Sequence, residues 1–330
     1  MLPMKFLTPF GKPRVNQNFR EERWGTYDQT YRVNMYFTIN YGCPNGCSFC
    51  RNHELAKNDS SYNLERQIEQ LRKWSPHVHT ITIGGGEPLV HINAIMKLVK
   101  DRQLSYTNCT IASRSVAIVT SGIRRIFIEE AKAAYNYYSN YDFLWSDSDK
   151  PSLFNFISII YLSRLSADDR KNQELFNTRE DILKSSDIRN LPSYIRNKIT
   201  ILTTCCKNGV NTLESMIDFI HWAKKVKINS IVFNDLQKSV SGETWKEDNI
   251  SPKLFEEFET FLKKNGYSLK THICYSGGYD IKSFTDGYLT VGLKHYHADK
   301  DETIAKWKSI RKRTYDLALL PSGEIQFDTI

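Results

Sequence analysis

The chain is poor in cysteine and methionine, with seven and five among 330 residues, and it has no long hydrophobic run. No stretch approaches the length needed to cross a bilayer, and the opening MLPMKFLTPFGKPRVNQNF lacks an uninterrupted apolar core of signal-peptide length. A cytoplasmic protein with no membrane partner is expected. An odd number of cysteines scattered unevenly through a long chain excludes a secreted disulfide framework and directs attention to metal or redox use. The absence of an internal repeat or long low-complexity tract removes solenoids and disordered arrays. Acidic residues are the minority, 37 against 45 Lys and Arg, for a net charge of +8. That balance suits an anionic substrate, an acidic peptide, an acidic electron-donor protein or a nucleic acid. It selects none of them, since lysine-rich solvated helices give the same total.

What is present is enough for a proper core: 40% hydrophobic residues, 18 Tyr and 17 Phe. Residues 1–31, rich in Pro, Asn, Arg and Gln, read as an irregular lead-in. From Arg32 a strand-like segment, RVNMYFTINY, is followed by the amphipathic helix NLERQIEQLRKW and a second strand, HTITIGGGEP, that ends in glycines. The alternation continues through INAIMKLVKDR (helix), VAIVTSG (strand), RRIFIEEAKAAYNYY (helix) and FNFISIIYLSR (strand). A helix over Asp168 to Phe176, the strand KITILTTCC, the helix TLESMIDFIHWAKKV and the strand INSIVFND complete it. Six short strands alternating with helices over 32–240 predict consecutive right-handed βαβ units. The expected fold is α/β, a partial (β/α)6 barrel with ligands at the C-terminal ends of its strands. Residues 241–330 change character and are expected to form a C-terminal α+β extension capping the barrel. It holds a helix in LFEEFETFLKKNG and a terminal hairpin turning at Pro321-Ser322-Gly323.

Three of the seven cysteines, Cys43, Cys47 and Cys50, crowd into YGCPNGCSFCRN. Their spacing would share one helix face, a stripe of small buried residues. Pro44-Asn45-Gly46 is turn chemistry, however, and favours a loop leaving the strand that ends near Tyr41. A loop can wrap three thiolates about one centre. Thiolates select zinc or iron–sulfur clusters; structural zinc wants four ligands, and His53 is the sole nearby fourth. Three cysteines on a cubane leave one iron open instead.

CPNGCSFC resembles the Cys-x-x-x-Cys-x-aromatic-Cys signature of the radical SAM superfamily, and GGGEP, Gly84 to Pro88, is similar to the glycine-rich segment that ends that family's second strand. The resemblance covers about 32–240. It implies a radical SAM barrel with one [4Fe–4S] cluster on Cys43, Cys47 and Cys50, whose open iron chelates S-adenosylmethionine. It further implies a 5′-deoxyadenosyl radical that takes hydrogen from a substrate, and the leading expectation for that substrate is a peptide residue or a small polar metabolite. Gly85, Gly86, Glu87 and Pro88 would line the cofactor, Glu87 receiving its ammonium and Phe49 facing the adenine. VTSG, with Thr120 and with Ser121 where the family commonly has Asn, resembles the third strand end. Ser163 and Arg164 at the fourth would meet ribose or methionyl carboxylate, and Leu236 the adenine.

The resemblance names no substrate and no further catalytic residue. Cys205 and Cys206 end the fifth strand, so alternation aims only one inward, where a thiol can return hydrogen to a substrate radical; otherwise both are buried structural cysteines. Cys109 and Cys274 are isolated, so a single cluster is expected. His295 and His297 read as a polar strand face or a metal or phosphate site. Lys308, Arg311, Lys312 and Arg313 read as a solvated basic face or a steering patch. A flavodoxin- or ferredoxin-type donor fits the basic charge. Two other readings stay open: radical modification of a nucleotide or RNA base, and a non-catalytic zinc-stabilised binding module. Glycyl-radical activation fits the long extension less well.

Overall fold

A computed structural model describes residues 5–7, 13–15, 31–50, 52, 55–56, 62–74, 78, 80–99, 115–139, 152–236, 253–275, 279–296 and 313–327. Its strands are β1 (Lys5–Leu7), β2 (Pro13–Val15), β3 (Tyr31–Asn40), β4 (Thr80–Gly85), β5 (Ser115–Thr120), β6 (Ile159–Ser163), β7 (Ile199–Thr204) and β8 (Ser230–Asn234). They continue with β9 (Ser268–Tyr275), β10 (Tyr279–Thr285), β11 (Thr290–Tyr296), β12 (Arg313–Leu319) and β13 (Ile325–Phe327). The helices are α1 (Leu64–Trp74), α2 (Ile92–Val99), α3 (Arg124–Ser139), α4 (Leu153–Phe156), α5 (Asp169–Phe176), α6 (Ser185–Asn190), α7 (Ser193–Arg196), α8 (Leu213–Lys225) and α9 (Lys253–Lys264).

Strands β3 to β8 pair in sequence order, each parallel to the next, and form the expected partial barrel. Burial alternates along them. In β7, Ile199 and Ile201 are buried toward the helices while Thr200 and Leu202 face the less occluded lumen. On β8, Phe233 points outward and meets Phe219 of α8 at 6.0 Å and Phe258 of α9 at 5.1 Å, centroid to centroid, both edge-on. One outward aromatic thereby joins the sheet to two helices.

Three details differ from the sequence-based expectation. The lead-in contains a short antiparallel pair, β1 with β2. The segment FNFISIIYLSR is a helical turn followed by a strand. Ser152 caps α4, its hydroxyl accepting from Phe154 N while its own N–H donates to Asn155 Oδ1, and the Glu130 carboxylate accepts from Leu153 N. A capping box this complete outweighs the β propensity of the residues that follow. The extension does more than cap: β11 adds parallel to β8, β12 adds parallel to β3, and β9 meets β12 through Arg313↔Cys274 and Thr314↔Tyr275. The sheet of eleven strands thus closes on itself, with β13 hydrogen-bonded to β12 as the outer arm of the expected hairpin. Closure covers the edges that β3 and β8 would otherwise expose.

Replacing Phe233 with Ala is expected to cost about 3–5 kcal/mol, because it empties a site shared by the sheet and two helices. Denaturant unfolding of the metal-free protein under reducing conditions measures it; a loss below about 1 kcal/mol, the range of a surface substitution, would contradict this packing.

Candidate active site

The C-terminal ends of β3 to β8 share one mouth of the barrel. The cysteine loop leaves β3 there and lies against the end of α5: Gly46 N donates to Phe176 O (2.9 Å) and to Asn177 O (3.1 Å). Asn177 takes the left-handed conformation, φ 45°, that ends α5 and turns these carbonyls toward the loop. Cys47 Sγ is 3.8 Å from Phe176 O, and Cys50 N donates to Cys47 O at 3.1 Å. Phe49 and Cys47 pack beside Leu165, Phe176 and Ile182, so the aromatic ring is wedged in a small apolar corner.

The glycine turn after β4 stacks on the start of this loop. Gly86 N donates to Asn40 O (2.7 Å) and Glu87 N to Gly42 O (3.2 Å), while Asn52 Nδ2 donates to Gly85 O. A Cβ on Gly86 would stand 1.9 Å from Gly42 O, and Gly85 sits at φ 121°. Side chains at either position would push the two loops apart.

Glu87, 1% exposed, is held within the protein. Its Oε1 accepts from Thr120 Oγ1 (2.6 Å) and Leu89 N (3.0 Å); its Oε2 accepts from Ser121 N (2.7 Å) and Ser121 Oγ (2.6 Å). Burial pushes this carboxyl above its ordinary value, against the lowering pull of Ser121, Thr120 and Leu89. With two donors on each oxygen, the carboxylate is a brace between β4 and β5 rather than an open acceptor for a ligand ammonium. Thr120 spends its hydroxyl on the same brace. Ser121, noted in the sequence only as standing where the resembled family commonly has Asn, is the second partner of this carboxylate. Pro88 is buried at the first position of the 3-10 turn over Pro88–His91.

The other expected site residues separate by strand parity. Leu162 is buried among the helices and Ser163 faces the lumen side, so Arg164 turns outward. Its guanidinium is 1% exposed, lies 4.5 Å over Trp222 of α8, and donates to Asp169, Leu183 O and Ala167 O. Arg164 is therefore placed behind the sheet and not against ribose or a methionyl carboxylate: two successive strand residues cannot face the same way. Leu236 is buried just past β8. Cys205 enters the hydrophobic core, whereas Cys206 stands within electrostatic reach of Cys47. His295 faces outward toward Asp235, with Nδ1 3.1 Å from Oδ2. Cys109, His53, His297, Lys308, Arg311 and Lys312 lie outside the described residues, as do the side chains of Cys274 and Arg313.

The donor set fits an iron–sulfur cluster. Burial pushes the Cys43 thiol up to about 11 and Cys47 to about 12, the neighbouring thiols adding to both, and raises Cys50 as well. Three neighbouring half-buried thiols become thiolates when soft cations compensate the charge. Three thiolates on one loop are the soft donors that an iron–sulfur cluster takes.

The family model "Radical SAM superfamily" matches residues 37–139, a span that holds the cysteine loop, the glycine turn and the end of β5. Residues 37–139 thus carry a match to the radical SAM superfamily. Radical SAM proteins use a [4Fe–4S] cluster and S-adenosylmethionine. No curated protein matches the chain. Among solved structures it is similar to Streptococcus suis SuiB bound to S-adenosylmethionine, with 14% identity, TM-score 0.54, and coverage of 91% of this chain and 61% of that one. SuiB bound to precursor peptide SuiA gives 15% identity, TM-score 0.55, and coverage of 95% and 64%. HydG, a maturase of the [FeFe]-hydrogenase, gives 10% identity, TM-score 0.54, and coverage of 92% and 60%. These likenesses establish the radical SAM barrel, and the chain spans under two thirds of each relative.

Glu87→Gln tests the brace. Each carboxylate oxygen faces a backbone N–H, Leu89 on one side and Ser121 on the other, so the amide NH2 meets a donor in either orientation. A loss of about 1–3 kcal/mol is expected by denaturant unfolding, with less iron retained after reconstitution. Unchanged stability would mean that the carboxylate is not braced as described.

Proposed function

We propose that this radical SAM chain is an enzyme that reductively cleaves S-adenosylmethionine and abstracts hydrogen from a peptide residue or small polar metabolite. The carrying observation is the stack of two backbone loops at the barrel mouth, one bearing three half-buried thiols and the other the glycine turn. Cys43, Cys47 and Cys50 would hold the cluster. Bound there, cluster and cofactor would supply one-electron cleavage to a 5′-deoxyadenosyl radical. The chain's own residues set the geometry: Gly85 and Gly86 keep the turn low enough for close approach, Glu87 fixes it to β5, and Phe49 closes the loop against an apolar corner. Ser163 is left as the polar group at the β6 end on the cofactor's side.

A peptide substrate is favoured because the SuiB fold, similar along nearly the whole chain, is solved with a precursor peptide. The positive charge favours an acidic flavodoxin or ferredoxin as donor. No described helix is long and apolar enough to cross a membrane, which accords with a cytoplasmic site of action. Nucleotide or RNA modification rests on charge alone, and a zinc-stabilised module on the thiols alone.

Anaerobic reconstitution with iron and sulfide, followed by reductant and S-adenosylmethionine, tests the reading. About four irons per chain and release of 5′-deoxyadenosine are expected, as a three-cysteine cubane site requires, and Cys47→Ala should lose both. Colourless protein carrying zinc, with no cleavage, would overturn the proposal.

A further inference from the structure

The helix side of the sheet holds an open groove of about 570 Å3 between α5, α6 and α8, a volume in the range of small-molecule sites. It lies on the side to which Arg164 turns, away from the lumen. Its floor is apolar, made by Trp222 and Val226 at the end of α8 and by Ala167 of the chain leaving β6. The indole is held in place from two directions. Trp222 Nε1 donates to Ser185 Oγ at 2.9 Å, and the Arg164 guanidinium lies over the ring, 4.5 Å from its centroid.

The carboxylates on the walls are already engaged. Asp169 pairs with Arg164 and accepts from both the N–H and the hydroxyl of Ser185. Asp168 Oδ1 caps α5, accepting from Lys171 N at 2.7 Å. The cations are not engaged: among the described residues neither the Arg189 guanidinium of α6 nor the Lys225 ammonium of α8 has an ion-pair or hydrogen-bond partner. Ser186, Arg189 and Asn190 stand at i, i+3 and i+4, so one face of α6 brings a hydroxyl, a guanidinium and an amide to the groove together. A single unpaired cation is ordinary on a surface. Two of them on different walls of one groove, above an aromatic floor, are what a ligand with an apolar body and an anionic end requires.

We propose that this groove binds a small organic anion: a flat apolar body rests on Trp222, Ala167 and Val226, and its phosphate or carboxylate lies between Arg189 and Lys225, with Ser186 and Asn190 as neutral donors. Asp168, on the α5 wall, repels the charged end and so favours one orientation. The site does not rest on the radical function proposed above, since no residue placed at the cofactor end of the barrel lines it. It does touch the support of the cysteine loop. Asp169 and Ser185 form part of its wall, and Asp169 begins α5, whose far end presents the carbonyls that receive Gly46 N.

The probe is pyridoxal 5′-phosphate, a flat ring bearing a phosphate and an aldehyde. The aldehyde condenses with a lysine amine, losing water, and borohydride reduces the imine to a stable amine; labelled peptides of the reconstituted protein are read by mass spectrometry. Lys225 is expected to label roughly tenfold faster than Lys207, an exposed lysine outside the groove, as local enrichment of anions predicts, and Arg189→Ala should bring the two rates together. Pyridoxal, which lacks the phosphate, should show no such preference. Phenyl phosphate and benzoate distinguish the two anionic groups: at least one should protect Lys225, and the better protector names the group. Equal labelling of Lys225 and Lys207, or the same preference with pyridoxal, overturns anion recognition. Protection by inorganic phosphate as strong as that by phenyl phosphate overturns the role of the apolar floor, and no protection by either aromatic anion overturns the site.

Discussion

The site depends on one close approach, the passage of Gly86 beneath the carbonyl of Gly42. No side chain fits between them, and the distance a Cβ would reach, 1.9 Å, is far inside any contact radius. Because the backbones touch, the ends of β3 and β4 exchange hydrogen bonds directly, through Gly86 to Asn40 and Glu87 to Gly42. The cysteine loop is then not a free excursion. Its beginning is fixed by the glycine turn and its middle by α5 through Gly46. Binding groups held on two sides by backbone bonds need little reordering when a ligand arrives, which is where preorganised sites gain their affinity.

Ring closure gives that mouth a defined interior. Six parallel strands alone would leave β3 and β8 as edges; β12 and β11 cover them, and the short β9–β12 pairing joins the two arms. The helices and the lumen then compete for every strand side chain by parity alone. The fully buried apolar residues go outward to the helices, and inward positions hold Thr200, Thr204, Ser163 and Asn234 beside apolar Leu202 and Val232.

Much of this was legible in the sequence because short-range chemistry wrote it. Turn residues between the cysteines marked a loop, the glycines marked close approach, and the two motifs came at successive strand ends. The six strands of the barrel were visible for the same reason: apolar runs separated by helical periods. What was not legible depended on contacts distant in sequence. Ring closure joins residues near 31, 274 and 313, and nothing local announces it. The α4 turn was hidden inside an apolar run because its capping depends on Glu130 of α3 as well as on Ser152. Glu87 looked like an open acceptor because its donors, Thr120 and Ser121, arrive from the next strand. Arg164 was the one error that parity could have caught, since Ser163 and Arg164 were both expected to face the ligand.

Arg164, though turned away from the lumen, still bears on the cluster site through α5. Its guanidinium binds Asp169 in the first turn of that helix, and Asn172, one turn later, accepts from Leu165 N at 2.7 Å. Both contacts fasten α5 to the chain leaving β6, and the far end of the same helix presents the Phe176 and Asn177 carbonyls that receive Gly46. A buried ion pair is weak as a source of net stability, because desolvation offsets most of the attraction, but breaking one partner is costly. Its value here is positional: an eight-residue helix about 12 Å long carries the register of β6 to the backbone beside Cys47. The fourth strand end therefore bears on the barrel mouth from both faces, with Ser163 on the lumen side and Arg164 acting from behind the sheet through a rigid helix.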